Sequence, residues 1–315
     1  MKRLFLLALT AAALLSTKAQ ESRTAFNFLR LPVSAHAAAL GGDNISLREA
    51  DPTLTFHNPA LLDSLTSGML SLNYMTYMEG AKTASASYQR QAGARGAWAV
   101  GGRYMDYGTM KQTDAYGDVL GDFSARDAAL SGTFSYWLTD MVSGGITAKM
   151  VASYIGDYSS LAAAVDLGLN YYDEESGWSV AAVARNLGGQ LSAYDDEFER
   201  MPLDLQVGAT KRLLNSPFRF SATLVKLNDW EHKKLGKHLV VGADVLIGQQ
   251  FYIAAGYNAM RASEMKITQD EGETSRGAGL SLGAGMSLSR MQLHLAWAKY
   301  HVAASSLLIN FSYTL

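Results

Sequence analysis

Six histidines, His36, His57, His232, His238, His294 and His301, are the first residues of this 315-residue chain that could bind a metal or move a proton. No pair has the His-Glu-x-x-His spacing of a zinc site, and most fall in different stretches of the chain. Asp195, Asp196, Glu197 and Glu199 could meet calcium, but they lack the glycine-turn spacing of an EF-hand loop, so a solvated loop is the better reading. Gly279, Gly283 and Gly285 suggest a phosphate cradle, yet they lie in an alternating stretch with no helix after it to supply backbone donors. Serines are abundant, but the one Gly-x-Ser-x-Gly run, Gly279 to Gly283, falls in that same alternating stretch with no helix after it and so makes no nucleophile elbow. No catalytic residue, metal ligand or cofactor is therefore expected, and the chain reads as non-enzymatic.

Bulk composition excludes further classes. With 27 basic and 29 acidic residues the formal net charge is −2, which leaves no electrostatic footprint for nucleic acid. No cysteine is present, so disulfide scaffolds, thiolate chemistry and a lipidated cysteine drop out. Lys2 and Arg3, the apolar run from Leu4 to Leu15, and Thr17-Lys18-Ala19 give residues 1–19 the form of a signal peptide. That apolar run is about 12 residues, short of the ~20 a helix needs to cross a bilayer, and no later stretch comes closer.

The elements that would position any site show themselves by period. From Met69 onward apolar and polar residues alternate, as in strands with one face of each kind. Leu161, Ala163, Val165, Leu167, Leu169 and Tyr171 oppose Asp166 and Asn170; Leu130, Phe134, Tyr136 and Leu138 oppose Ser131, Thr133 and Ser135. The alternation predicts strands at 69–78, 82–90, 96–107, 128–138, 142–153, 161–172, 177–187, 204–214, 217–227, 237–247, 251–258, 278–288, 291–300 and 306–315. Most of these match the ~9–11 residues of a tilted strand crossing a bilayer.

Turns at 139–141, 173–176, 215–216, 248–250 and 289–290 are short, whereas 108–127, 188–203 and 259–277 are long. Short and long connections alternate as in an antiparallel transmembrane β-barrel of about fourteen strands, with both termini in the periplasm and the long loops outside. One face carries the large apolar side chains for lipid, and the other carries Ser, Thr, Gly and occasional charges such as Lys149, Arg185 and Asp244. Tyr74, Tyr77, Trp98, Tyr104, Trp137, Trp178, Tyr257, Trp297 and Tyr313 are candidates for the aromatic girdles. The 29 glycines suit a curved, closed sheet. The expected organisation is an all-β barrel over 69–315 preceded by residues 20–68, which lack alternation and read as a plug, because about fourteen strands enclose more lumen than their own side chains fill.

That segment carries Leu31-Pro32-Val33-Ser34-Ala35, Ala37-Ala38-Ala39-Leu40-Gly41-Gly42, Asp51-Pro52 and Asn58-Pro59-Ala60. This ordered set resembles the amino-terminal signature of the PorV and PorQ barrels of the type IX secretion system, and more loosely that of FadL-type transporters. Tyr107-Gly108 to Phe123-Ser124, Ala184-Arg185-Asn186-Leu187-Gly188-Gly189 and Pro217-Phe218-Arg219-Phe220-Ser221 are most similar to the PorQ-like family. The terminal strand resembles the signal read by outer-membrane insertion machinery, though it ends on Leu315 in place of an aromatic residue. The resemblance implies an outer-membrane subunit of the attachment complex, with a PorZ-like surface protein, a PorU-like sortase and a PorV-like barrel as partners. It also marks Gly41, Gly42, Asn58 and Pro59 as the plug motif.

Loops on a rigid scaffold are where binding residues concentrate, and aromatic and arginine side chains anchor interfaces most often. Tyr116, Tyr194, Phe198, Arg200, Trp230, Met260 and Arg261 are the partner-binding candidates on the outside loops. A non-enzymatic scaffold for a surface partner is the first functional expectation, and a FadL-like channel for hydrophobic solutes is the alternative. The channel predicts an apolar pocket under the long loops and a gap or kink in the wall; the scaffold predicts a filled lumen.

Overall fold

Strands with one apolar and one polar face can satisfy every backbone group beside lipid only by closing on themselves. The computed structural model describes residues 24–114, 116, 118–229, 232–248, 250–265, 267–269, 272–274, 277–300 and 304–315, and it shows that closure. The strands are β1 Met69–Thr76, β2 Lys82–Ala92, β3 Gly96–Thr113, β4 Val119–Trp137, β5 Val142–Ile155, β6 Tyr158–Asp173, β7 Trp178–Ser192 and β8 Asp204–Arg212. They continue with β9 Phe218–Leu224, β10 Leu239–Ile247, β11 Phe251–Asn258, a small hairpin of β12 Ile267–Gln269 and β13 Gly272–Thr274, then β14 Leu280–Ser287, β15 Met291–Ala298 and β16 Ser306–Thr314. β12 and β13 pair only with each other, the other strands pair antiparallel in sequence order, and β1 pairs with β16, so fourteen strands close one barrel. None of the described helices is long and apolar enough to cross a membrane.

Side chains divide as the alternation requires. On β15 the outward Met291, Leu293, Leu295 and Trp297 are exposed, while Gln292, His294, Ala296 and Ala298 are buried. Two of the girdle candidates depart from this division. Trp137 lies under the guanidinium of Arg48, 4.5 Å from the ring centre, and Tyr77 packs against Tyr300 with centroids 6.2 Å apart.

One rim carries the tight turns 93–95, 138–141, 174–177, 213–217, 248–250 and 288–290, and the other carries the longer connections 193–203, 225–238 and 259–279. The expected long loop 108–127 is instead mostly strand. β3 and β4 stay paired out to Thr113 and Val119, so that Tyr116 caps a tall hairpin. Residues 188–192 of the expected 188–203 loop likewise belong to β7. Polar alternation continues past the lipid band in both places, and antiparallel pairing extends with it.

Residues 24–68 lie inside. Thr24 bridges to Arg200 at the loop rim, and Gly68 accepts from the Leu315 amide at the turn rim, so the segment threads the lumen from end to end. Thr24, the first described residue, therefore sits at the rim opposite Leu315.

An irregular backbone is tolerated there because inward wall side chains satisfy it. Arg103 donates to the carbonyls of Phe28 and Leu31, both at 2.9 Å, and Asn310 donates to Val33 at 2.9 Å. Ser281 donates to Ala39 at 2.8 Å, Gln292 to Ala50 at 2.7 Å, and Ser143 to Ala60 at 2.8 Å.

Candidate functional site

The amino-terminal motifs are local folding signals. Ser34 caps α1, Ala35–Ala39, accepting from the Ala37 amide. Gly41 and Gly42, at φ of +105° and +97°, end the helix with their amides donating to Ala38 and Ala37. Asp51-Pro52 and Asn58-Pro59 each place a capping side-chain oxygen before a proline, accepting the Thr53 and Ala60 amides respectively, and so start short 3-10 turns. Asn58 also donates to the Ile45 carbonyl at 2.9 Å.

Two ionic clusters pin this segment to the wall. Asp43 faces Arg185 on β7 at 3.3 Å, accepts from Asn258 on β11 at 3.1 Å, and lies 3.8 Å from Arg261 of α2, Ala259–Glu264. Arg185 also pairs with Asp204 at 3.0 Å. In the second cluster His36 lies between Glu49 at 2.5 Å and Asp244 at 2.8 Å, while Arg219 bridges the same two carboxylates.

Burial alone would lower the pKa of His36, but the charge of Glu49 and the hydrogen bonds to Asp244 and Glu49 raise it above its ordinary 6.5. Burial would raise Glu49, yet His36 and Arg219 hold it well below the usual carboxylate range. His57 is the opposite case. Burial, with Arg185 and Arg103 adding to it, pushes its pKa well down, and its Nε2 accepts from the Val33 and Ser34 amides as a neutral ring does.

The signs follow from linkage. The raised His36 stabilises the fold fully below 6.5, and that contribution is lost as pH rises through its folded value. The depressed Glu49 contributes above its ordinary value and loses that contribution in acid. His57 costs stability below 6.5, where the unfolded chain takes up a proton that the folded chain refuses. Side-chain NMR of histidine-labelled protein is expected to show His36 titrating above 6.5 and His57 well below it; a common midpoint near 6.5 for both rings contradicts these environments.

Two of the four register shifts in the described ladders shape the inner wall. Val165 pairs with Leu187 and Leu167 with Ala184, so Asp166 faces both Arg185 and Asn186, and Asn186 adopts φ +60°. Both Arg185 and Asn186 consequently point inward, where Lys149 meets Asp166 at 2.6 Å and Asn186 at 3.0 Å. In the β3–β4 ladder Asp106 pairs with Arg126 and Thr109 with Ser124, leaving Tyr107 and Gly108 opposite Ala125.

Beside this second bulge lies a cavity of about 680 Å³ at the loop rim. Phe26, Tyr107, Phe123, Tyr158 and Tyr194 line it, together with Asp127 and Glu199. Tyr107 donates to Asp127 at 2.6 Å, and Tyr194 stacks on Phe26 with centroids 6.3 Å apart. A second hollow of about 670 Å³ indents the wall from β3 to β7, floored by Gly101, Gly132, Ala148 and Ala163 between the larger Leu130 and Met150.

The structure places the predicted partner residues unequally. Tyr116 is 93% exposed and Phe198 67%, both free of the cavity. Tyr194 lines the cavity, and Arg200 accepts the Ala25 amide at 3.0 Å through its backbone carbonyl. Met260 is half-buried on α2. Arg261 is turned inward, 4.0 Å over the Tyr300 ring and donating to Gly41 at 3.3 Å, so it is not the exposed loop arginine expected. Trp230 lies outside the described residues. Sequence reasoning missed Phe26, Tyr107 and Asp127 as cavity residues, and the only available signal was a carboxylate on the inward face of a strand.

Fold and site define a membrane-spanning β-barrel of the outer-membrane type, its lumen occupied by its own amino-terminal segment. Among solved structures the chain is similar to the toluene transporter TodX of Pseudomonas putida, with 11% identity, TM-score 0.58, and coverage of 91% of this chain and 99% of that one. A TodX mutant described as a monoaromatic hydrocarbon channel gives 12% identity, TM-score 0.59, and coverage of 90% and 99%. A FadL homologue of Pseudomonas aeruginosa gives 11% identity, TM-score 0.53, and coverage of 90% and 98%. At these identities the likeness establishes a FadL-type fold. No family model matches the chain, and no curated protein matches it.

Proposed function

We propose that the protein is an outer-membrane barrel that binds a small apolar solute in the rim cavity and passes it inward, with residues 24–68 acting as the plug. The observation that carries this reading is the aromatic cavity under the long loops, set beside a bulge in the wall. The neighbours named as channels and transporters for hydrocarbons add support through their shared fold. On this reading the loop rim faces outward and the turn rim faces the periplasm. A solute leaving the cavity meets a lumen closed by the ionic clusters, so passage requires the segment to shift or the solute to leave through the wall.

The test is equilibrium binding of a neutral aromatic solute to the barrel in nanodiscs. Phe26→Ala and Tyr107→Ala each remove a cavity wall and are expected to weaken binding about tenfold, the order of ~1–2 kcal/mol for a lost aromatic contact. Unchanged affinity in both variants contradicts the site.

One observation favours a second reading. The lumen is filled across its middle by a hydrogen-bonded segment, as a scaffold requires, and Tyr116 and Phe198 stand free at the loop rim. In that case the barrel holds a PorZ-like surface protein beside PorU-like and PorV-like subunits, and affinity purification from mild detergent recovers them.

A further inference from the structure

The rim cavity carries an imbalance of charge. Among the described residues the barrel strands hold four buried aspartates, Asp127, Asp166, Asp204 and Asp244, and three of them have a cation: Lys149, Arg185 and Arg219 respectively serve the last three. Asp127 is 5% exposed, accepts from the Tyr107 hydroxyl, has the Ser153 hydroxyl beside it, and forms no ion pair with a described residue. Glu199 adds a second carboxylate at the mouth, and among the described residues no lysine or arginine lines the cavity. A buried carboxylate without a counter-ion attracts a cation or a hydrogen-bond donor and repels an anion, the more so at low local dielectric. Aromatic faces favour an ammonium group over a carboxylate in the same way.

We propose that the cavity selects neutral or cationic apolar solutes, an aromatic or alkyl body bearing a hydroxyl or an amine, and discriminates against carboxylate anions of the same size. The inference rests on the solute-binding reading and specifies its substrate class. Asp127 acts as the acceptor for the polar head, while Phe26, Phe123 and Tyr158 enclose the apolar body.

The experiment compares 4-phenylbutylamine, 4-phenylbutanol and 4-phenylbutyrate at pH 7, by calorimetry on the barrel in zwitterionic nanodiscs with empty discs subtracted. The amine and the alcohol are expected to bind at least about tenfold more tightly than the carboxylate. Asp127→Asn keeps an acceptor for Tyr107 and is expected to bring the amine and the carboxylate within about threefold of each other, with the alcohol weakened less than the amine. Should that variant not fold, as judged by heat-modifiable mobility, Glu199→Gln at the exposed mouth is expected to narrow the same gap in part. Phenylbutyrate binding as tightly as the amine, or a gap untouched by the variant that folds, overturns the selectivity while leaving solute binding intact. Failure of all three probes to bind at millimolar concentration overturns the solute reading itself, and the selectivity with it.

Discussion

Valine in place of Gly256 expels the amino-terminal segment from the wall. Gly256 lies on β11, where a Cβ would come within 2.2 Å of the Leu40 carbonyl carbon and 2.3 Å of the Gly41 nitrogen. Both are backbone atoms, just where α1 ends, and neither can swing aside as a side chain tip does. Gly145 on β5 forms a matching cradle, its Cβ position 2.4 Å from the Pro59 carbonyl carbon. Overpacking of this kind costs about 3 kcal/mol. The strand ladder has no reason to break, so the barrel stays closed while the segment loosens. Limited trypsin digestion in nanodiscs checks this. Cleavage after Arg30 and Arg48 is expected to quicken by about a hundredfold in Gly256→Val, with heat-modifiable mobility unchanged. Equal cleavage of parent and variant contradicts the cradle.

Arg219→Met is the second large effect. It removes the cation shared by the half-buried Glu49 and the fully buried Asp244 and leaves both carboxylates with only His36 between them. Stranding a buried charge costs about 3–5 kcal/mol, more than the pair itself contributes when intact. Arg219→Met combined with Asp244→Leu is expected to recover most of that loss, because Glu49 then keeps His36 as its partner. Urea unfolding in detergent micelles, followed by intrinsic fluorescence, measures both variants. A single variant within 1 kcal/mol of the parent, by the same scale, shows that the cluster does not hold the segment.

The wall was almost fully legible in the sequence because burial on one face and lipid on the other enforce a period of two. Met291 to Ala298 reads the same in sequence and structure. Where both faces turn polar, as at Met110 to Thr113, the alternation no longer marks a boundary, and paired strand was read as loop. Asp51-Pro52 and Asn58-Pro59 stood out as motifs, but the position of Asn58-Pro59 in the lumen depends on Gly168 and Gly145 across the barrel, contacts that no local pattern encodes. The cavity was hidden for the same reason. Phe26, Tyr107, Asp127 and Tyr194 come from four separate stretches, and a bulge turns one of them inward. Arg261 looked like a loop-surface arginine because a helix of six residues gives no hint that it leans over Tyr300.

The most direct measurement is uptake of radiolabelled 4-phenylbutanol by cells lacking the protein, compared with cells carrying the parent chain or Tyr107→Ala. Solute binding at the rim predicts that loss of the gene slows uptake several-fold, that the parent chain restores it, and that Tyr107→Ala does not. Uptake that is the same in all three strains, together with loss of a large protein from the cell surface of the deletion strain, contradicts the account and leaves the barrel as a scaffold.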